Sequence, residues 1–293
     1  MKRPHERTLP GPFLLEGKRL HFLKPDIVAA YPRLLMQFFW QAAKSGAYFD
    51  HQAGEVIRRY SAAFTERDRC DPEVVKQFFD ILLHPRHAFP VLKAMLETGF
   101  LQAFMPEFSG VRYRMQDHVY HIYTVDEHLL RTVQQMHQMQ LHPENAPIQP
   151  PVGEMFGQLE NPRVLYLSAL IHDLGKSRGK NHWLTGCPMA SDIARRLGLS
   201  STETGLLCFL IENHLLLTHT TQKRDLQDEE TVLYCAAIIA DRERLRLLFL
   251  LSIADSCASA PMAWNSWKAS LFGELYLKLD KHFLLSGGRD VRQ

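Results

Sequence analysis

The chain has 293 residues, 46% hydrophobic and 23% charged, with a formal charge of +2. This is ordinary for a globular protein, long enough for one large domain or two small ones. The charge is too close to zero to point to nucleic acid or an anionic membrane as partner. The N-terminus, MKRPHERTLPGPF, has charge but no apolar signal region, and no apolar run reaches membrane-spanning length. Cys70, Cys187, Cys208, Cys235 and Cys257 are an odd, scattered set without a CxxC, which reads as reduced thiols and a cytoplasmic location.

The pattern is almost wholly helical, so the expected fold class is all-α. Pro4, Pro10, Pro12 and Pro25 predict an irregular stretch over residues 1–30. A helix over 31–45 should end at Gly46, where glycine can take the left-handed cap. Asp71-Pro72 is an N-cap followed by proline at the first helical position, opening a helix to Leu83. Another runs over 88–98 and stops at Gly99.

Past Pro106 and Gly110 the character changes. Thr124 to Glu127 reads as a capping box, placing His128 in a first helical turn. Pro143, Pro147, Pro150 and Pro151 predict a long loop before Pro162 starts an apolar, buried helix. His172 and Asp173 occupy its last turn. Further helices are expected over 185–197, closed by Gly198, and from the capping box Ser200–Glu203 to near His214. Two more follow from Asp228 and over 243–259. His219 is expected in a loop, and Arg242, Arg244 and Arg246 on a solvated face. Pro261 should open the last helix, with Trp264 and Trp267 in its core stripe. A boundary near residue 110 follows: a small helical module over 1–110, then a bundle over 111–293.

The chemistry concentrates in the second part. Adjacent His172 and Asp173 offer a borderline nitrogen and a hard oxygen to one divalent ion. His128 and Asp255 lie on other helices, as a bundle-core metal site requires. His182 and His214 would raise the set to six ligands, enough for two ions bridged by Asp173. Mixed imidazole and carboxylate ligation suits Mn, Fe, Zn, Co or Ni better than calcium. Lys176, with Lys180 or Arg224, can neutralise a phosphate. Asp173 and Lys176 are the expected catalytic groups, and the reaction class is metal-assisted hydrolysis of a phosphate ester.

His128, His172-Asp173 and Asp255 resemble the H…HD…D pattern of the HD superfamily of metal-dependent phosphohydrolases. YHIYTVDEH (120–128), HDLGKSRGKNH (172–182), ENHLLLTHTTQKRDLQD (212–228) and WNSWKASLFGELY (264–276) are similar to segments of the bifunctional PII uridylyltransferase/uridylyl-removing enzymes. Residues 78–111 are similar to the helical linker preceding their HD domain. Asn181 stands where that family usually has an acidic residue. The chain shows neither the family's nucleotidyltransferase motifs nor its ACT domains. The resemblance thus implies the linker plus HD portion, as a stand-alone protein or part of a larger enzyme. It implies hydrolysis without transfer: one or two divalent ions (Mg included) and release of UMP from a tyrosine of a PII-type protein. The alternatives are a phosphohydrolase acting on a small nucleotide or cyclic dinucleotide, or a non-catalytic nucleotide-binding regulatory module.

Overall fold

The computed structural model describes residues 6–115, 122–146, 148–178, 182–260 and 263–287. The chain divides into two compact units, Met1–Arg112 with Asp192–Ser200, and Tyr113–Ser191 with Ser201–Gln293.

The first unit opens with a three-stranded antiparallel sheet where an irregular stretch is predicted. Its strands are β1 (Glu6–Leu9), β2 (Phe13–Glu16) and β3 (Arg19–Phe22), paired in sequence order. Leu9 faces Phe13 across the first pair, and Leu15 faces Leu20 across the second. Of the prolines that argue against regular structure, Pro10 and Pro12 sit in the first turn and Pro25 follows β3, while Pro4 lies outside the described residues. Gly11 and Gly17, at φ 94° and 63°, supply the left-handed residues of the two connections.

Seven helices follow among the described residues: α1 (Ile27–Ala30), α2 (Leu34–Ser45), α3 (His51–Tyr60), α4 (Glu66–Arg69), α5 (Pro72–Leu82), α6 (Ala88–Glu97) and α7 (Phe100–Phe104). The expected punctuation holds at three of them. Gly46 caps α2 at φ 63°, the Asp71 carboxylate accepts from the Glu73 and Val74 amides to open α5, and Gly99 follows α6 at φ 82°. The core of this unit is a chain of phenylalanines. Phe38 stacks on Phe22 at 4.2 Å and meets Phe13, Phe39 and Phe49 edge-on. Phe100 joins Phe39 to Phe64, and Phe104 joins Phe64 to Phe78.

The second unit is built from α8 (Val125–Leu141), α9 (Val152–Gly157), α10 (Pro162–Ile171), α11 (His182–Arg196), α12 (Ser201–Asn213), α13 (Leu216–Lys223), α14 (Glu229–Ile239), α15 (Arg242–Ser259) and α16 (Ser266–Gly287). The end of α11 groups with the first unit, where Arg196 donates to both carboxylate oxygens of Glu107. α8 packs on both α10 and α15, and α10 also packs on α12. α16 lies against α13, α14 and α15. On α16, Gly273 faces the backbone of Gln149 so closely that a Cβ would stand 2.3 Å from its carbonyl oxygen. α10 and α15 bury nearly their whole surface, as their apolar sequences require.

Several details differ from expectation. Thr124 precedes α8 with extended backbone, but its side chain makes no capping bond. The proline-rich stretch contains the short α9. His219 lies inside α13, a helix hidden in the sequence by three threonines with low helix propensity. α16 starts at Ser266 instead of Pro261, with Asn265 Oδ1 accepting from the Lys268 amide. Trp264 packs edge-on against Phe272, but Trp267 is 67% exposed and is no part of the core. The α15 arginines are not simply a solvated face. Arg242 pairs with Asp280, and Arg246, only 13% exposed, pairs with Glu243. No helix among the described residues is long and apolar enough to cross a membrane.

Candidate metal centre

Three helices of the second unit deliver four polar side chains to one buried point. His128 lies in the N-terminal part of α8, His172 is the C-cap of α10, Asp173 follows it, and Asp255 lies near the end of α15. His128 Nε2 is 3.3 Å from His172 Nε2 and 3.0 Å from Asp255 Oδ1. His172 Nε2 is 3.6 Å from the same oxygen. These three residues form the group able to hold a metal ion among the described residues. Ligand arms of about 2.1 Å at roughly 90–120° span such separations, so the donors fit one divalent ion.

Asp173 borders this trio. Its Oδ2 lies 3.6 Å from His172 Nε2 and 3.8 Å from His128 Nε2, while Lys176 Nζ donates to it at 2.5 Å. Its Oδ1 is 3.7 Å from His214 Nε2. Asp173 thus faces the trio on one side and His214 on the other. The His172 and His214 rings stand 5.1 Å apart.

Tautomers are set locally. His172 Nδ1 lies 3.2 Å from the carbonyl of Ala169, and His214 Nδ1 lies 2.7 Å from that of Ile211. A proton on Nδ1 donates to each carbonyl and leaves the Nε2 lone pair facing the cluster. Ser252 Oγ donates to the carbonyl of His214, tying that turn to α15.

The electrostatics follow from burial against mutual charge. Burial alone would raise the Asp173 carboxyl, but His172, Lys176, His214 and His128 outweigh it and hold the group well below its ordinary range. Asp255 is likewise depressed: burial alone would raise its carboxyl, but the neighbouring His128 and His172 imidazoles outweigh it. His214 is pushed down to about 4, first by burial and then by the His172 charge, so it is neutral at pH 7. Ionised carboxylates and a neutral imidazole are the forms that bind metals.

The other predicted residues are placed differently. The His182 backbone opens α11, but its side chain lies outside the described residues, as do Lys180 and the Tyr120–His121 part of the motif. Arg224 ends α13 with its guanidinium over the Tyr234 ring at 4.2 Å. Among the described residues, no hydrogen bond or ion pair joins it to the cluster. Lys268, which the motif reading left without a role, reaches the edge of the site: its Nζ donates to Ser256 Oγ at 3.0 Å, one residue beyond Asp255. The signal in the sequence was a lysine inside an aromatic helix start, WNSWK.

Comparison with known proteins agrees with this arrangement. Residues 13–104 match the family described as the uridylyltransferase GlnD third domain, and residues 125–260 match the HD domain. The bifunctional uridylyltransferase/uridylyl-removing enzyme of Azospirillum brasilense is 34% identical over 279 residues, covering 95% of this chain and 30% of the relative. That of Novosphingobium aromaticivorans is 35% identical over 271 residues, covering 92% and 30%. The chain thus spans about a third of the length of these curated relatives. Among solved structures, the Thermotoga maritima CCA-adding enzyme complexed with tRNA matches with a TM-score of 0.56 at 10% identity, over 90% of this chain and 52% of that one. At that identity the likeness concerns the fold alone. A helical HD domain with its histidine and aspartate motif gathered at one buried point, following a GlnD third-domain segment, places this chain in the HD superfamily of metal-dependent phosphohydrolases.

Proposed function

We propose that the chain hydrolyses phosphodiesters at this centre and that its substrate is a uridylylated PII-type protein, from which it releases UMP. The observation that carries the reading is the convergence of His128, His172 and Asp255 donors within 3.0–3.6 Å in a buried pocket. These three would hold the ion, Asp173 would complete the set, and His214 with His182 would serve a second position. A divalent ion bound there would supply Lewis-acid chemistry, polarising a phosphoryl oxygen and lowering the pKa of a water. Mn, Fe, Zn, Co and Ni fit the donor set, and Mg fits its oxygens. Residues 111–293 act as the catalytic module and residues 1–110 as the linker module that carries it.

The protein's own groups have separable tasks. Asp173, ionised and held by Lys176, orients the attacking water, since its carboxylate accepts but cannot donate. Lys176 keeps a positive charge beside the reacting phosphate, and Lys180 supplies further charge as substrate binds, whereas Arg224, stacked on Tyr234, takes no part. The carbonyls of Ala169 and Ile211 keep the imidazoles aimed while charge builds up.

Purified protein should contain a divalent metal and release p-nitrophenol from bis-p-nitrophenyl phosphate. Asp173→Ala should lose both the metal and the activity, and full activity in that variant would sink the mechanism. Release of UMP from uridylylated PII supports the substrate assignment. Hydrolysis of free nucleotides with no cleavage of the modified PII protein would overturn it.

A further inference from the structure

Lys268 is a charged group near the centre with no task in the proposed hydrolysis. It stands on the first turn of α16, half-buried, with its ammonium 5.9 Å from the Trp264 ring centre and 5.8 Å from that of Phe272. Its hydrogen-bond partners are neutral: Ser256 Oγ at 3.0 Å and the Ala263 carbonyl at 3.4 Å. Among the described residues, no carboxylate lies within ion-pair distance of it. An ammonium withdrawn from water without a bonded counter-charge is costly, and ring faces at nearly 6 Å compensate only weakly. It also has three donors and a net charge for two neutral acceptors.

Its position narrows what completes it. Ser256 follows Asp255 directly on α15, so the ammonium is anchored beside a metal-holding carboxylate. Asp255 also acts on Lys268 electrostatically, more strongly than Cys257, and opposes the effect of burial. A small anion seated at the metal centre would bring its outer oxygens toward this ammonium. Lysine is suited to meet such an anion as a compact point charge.

We propose that Lys268 is a substrate-binding residue, whose ammonium, held by Ser256 and Ala263, takes a non-bridging oxygen of the phosphate at the metal centre. The inference deepens the phosphodiesterase reading and rests on it for the identity of the substrate, but phosphate binding can be measured without turnover. The positive end of the site would then be split, with Lys176 fixed to Asp173 on one side and Lys268 on α16 on the other.

The test is calorimetric titration of inorganic phosphate into the Mn-loaded full chain, with metal content measured alongside. Lys268→Met should weaken phosphate binding about 10- to 100-fold, the worth of one charge-assisted hydrogen bond, with metal content unchanged. Lys268→Arg should recover most of the loss. Should Lys268→Met fail to fold, Lys268→Gln keeps a donor for Ser256 and Ala263 while removing the charge, and carries the same expectation. Ser256→Ala should stay within about threefold of wild type, since it removes an anchor and leaves the charge. Equal phosphate affinity in wild type and Lys268→Gln would overturn the proposal. So would loss of metal together with phosphate, which would make Lys268 a structural support of Asp255, and so would failure of the wild type to bind phosphate. A chain that binds phosphate through Lys268 yet cleaves no phosphodiester would instead break the functional reading alone.

Discussion

The first unit buries Phe13, Phe38, Phe39, Phe78, Phe100 and Phe104 together, whereas the second buries His128, His172, Asp173, His214 and Asp255 at the meeting point of its helices. In the first, ring-on-ring contact does what cores ordinarily do, and each ring removes a large apolar area from water. In the second, imidazoles and carboxylates occupy positions that aliphatic side chains would fill at lower cost, because buried ion pairs rarely repay their desolvation. A protein that keeps charge in one core and excludes it from the other marks where its chemistry is. The difference also separates what a substitution should do: damage to the first unit is read in stability, damage to the second in metal and turnover.

The largest expected stability change tests the aromatic side. Phe100→Ala removes a fully buried ring that touches Phe39 and Phe64 and should cost about 3–5 kcal/mol in urea unfolding, with the metal content of the folded protein unchanged. A loss below about 1 kcal/mol would mean the phenylalanine chain is not what holds that unit. On the polar side, saturating the protein with Mn at a hundredfold excess over its dissociation constant should raise stability by about 2.7 kcal/mol over the chelated protein. Asp255→Ala should abolish that gain and lower hydrolysis by more than the roughly 100-fold typical of losing an outer partner of a ligand. A wild-type melting temperature indifferent to Mn would erase the contrast between the cores.

Smaller effects sharpen the comparison at the helix ends. Burial pushes the Asp71 carboxyl up, but the Arg33 guanidinium and the Val74 and Glu73 amides outweigh it and hold it below its ordinary value. Its contribution is therefore complete above that ordinary value and is lost as pH falls through the lower, folded one. Asp71→Ala should cost about 1 kcal/mol at neutral pH, solvent screening keeping the Arg33 pair from adding much. That cost should shrink in acid, and a difference that grows on acidification would reverse the sign assigned here. Thr124→Ala should change stability by less than about 0.5 kcal/mol, because its hydroxyl caps nothing. A full cap's loss there would show that the box forms in solution.

What could be read in the sequence was mostly punctuation and motif. Gly46, Asp71-Pro72, Gly99, Pro162 and Asp228 mark real helix ends, because backbone preferences act locally. The hairpins of residues 6–22 were illegible, since four-residue strands contain too few alternations to outweigh three prolines nearby. α3 was hidden by its polar composition and its internal Gly54. At the site, His128, His172, Asp173 and Asp255 stood out by their order along the chain, but their distances depend on α8, α10 and α15 meeting. Arg224 shows the converse: proximity in sequence to the ENH motif did not bring it to the cluster. The contact of Lys268 with Ser256 arises only where α16 crosses α15, which no local pattern announces.

The carbonyls of Ala169 and Ile211 have a consequence for how the centre is filled and emptied. Each lies three residues before the imidazole it aims, inside the same short stretch of backbone. Ring orientation is therefore a property of two small peptide turns and does not depend on an ion being present to impose it. Metal capture then requires little rearrangement, so exchange should be rapid and reversible. Protein stripped by a chelator should regain its centre on simple addition of metal, without unfolding and refolding.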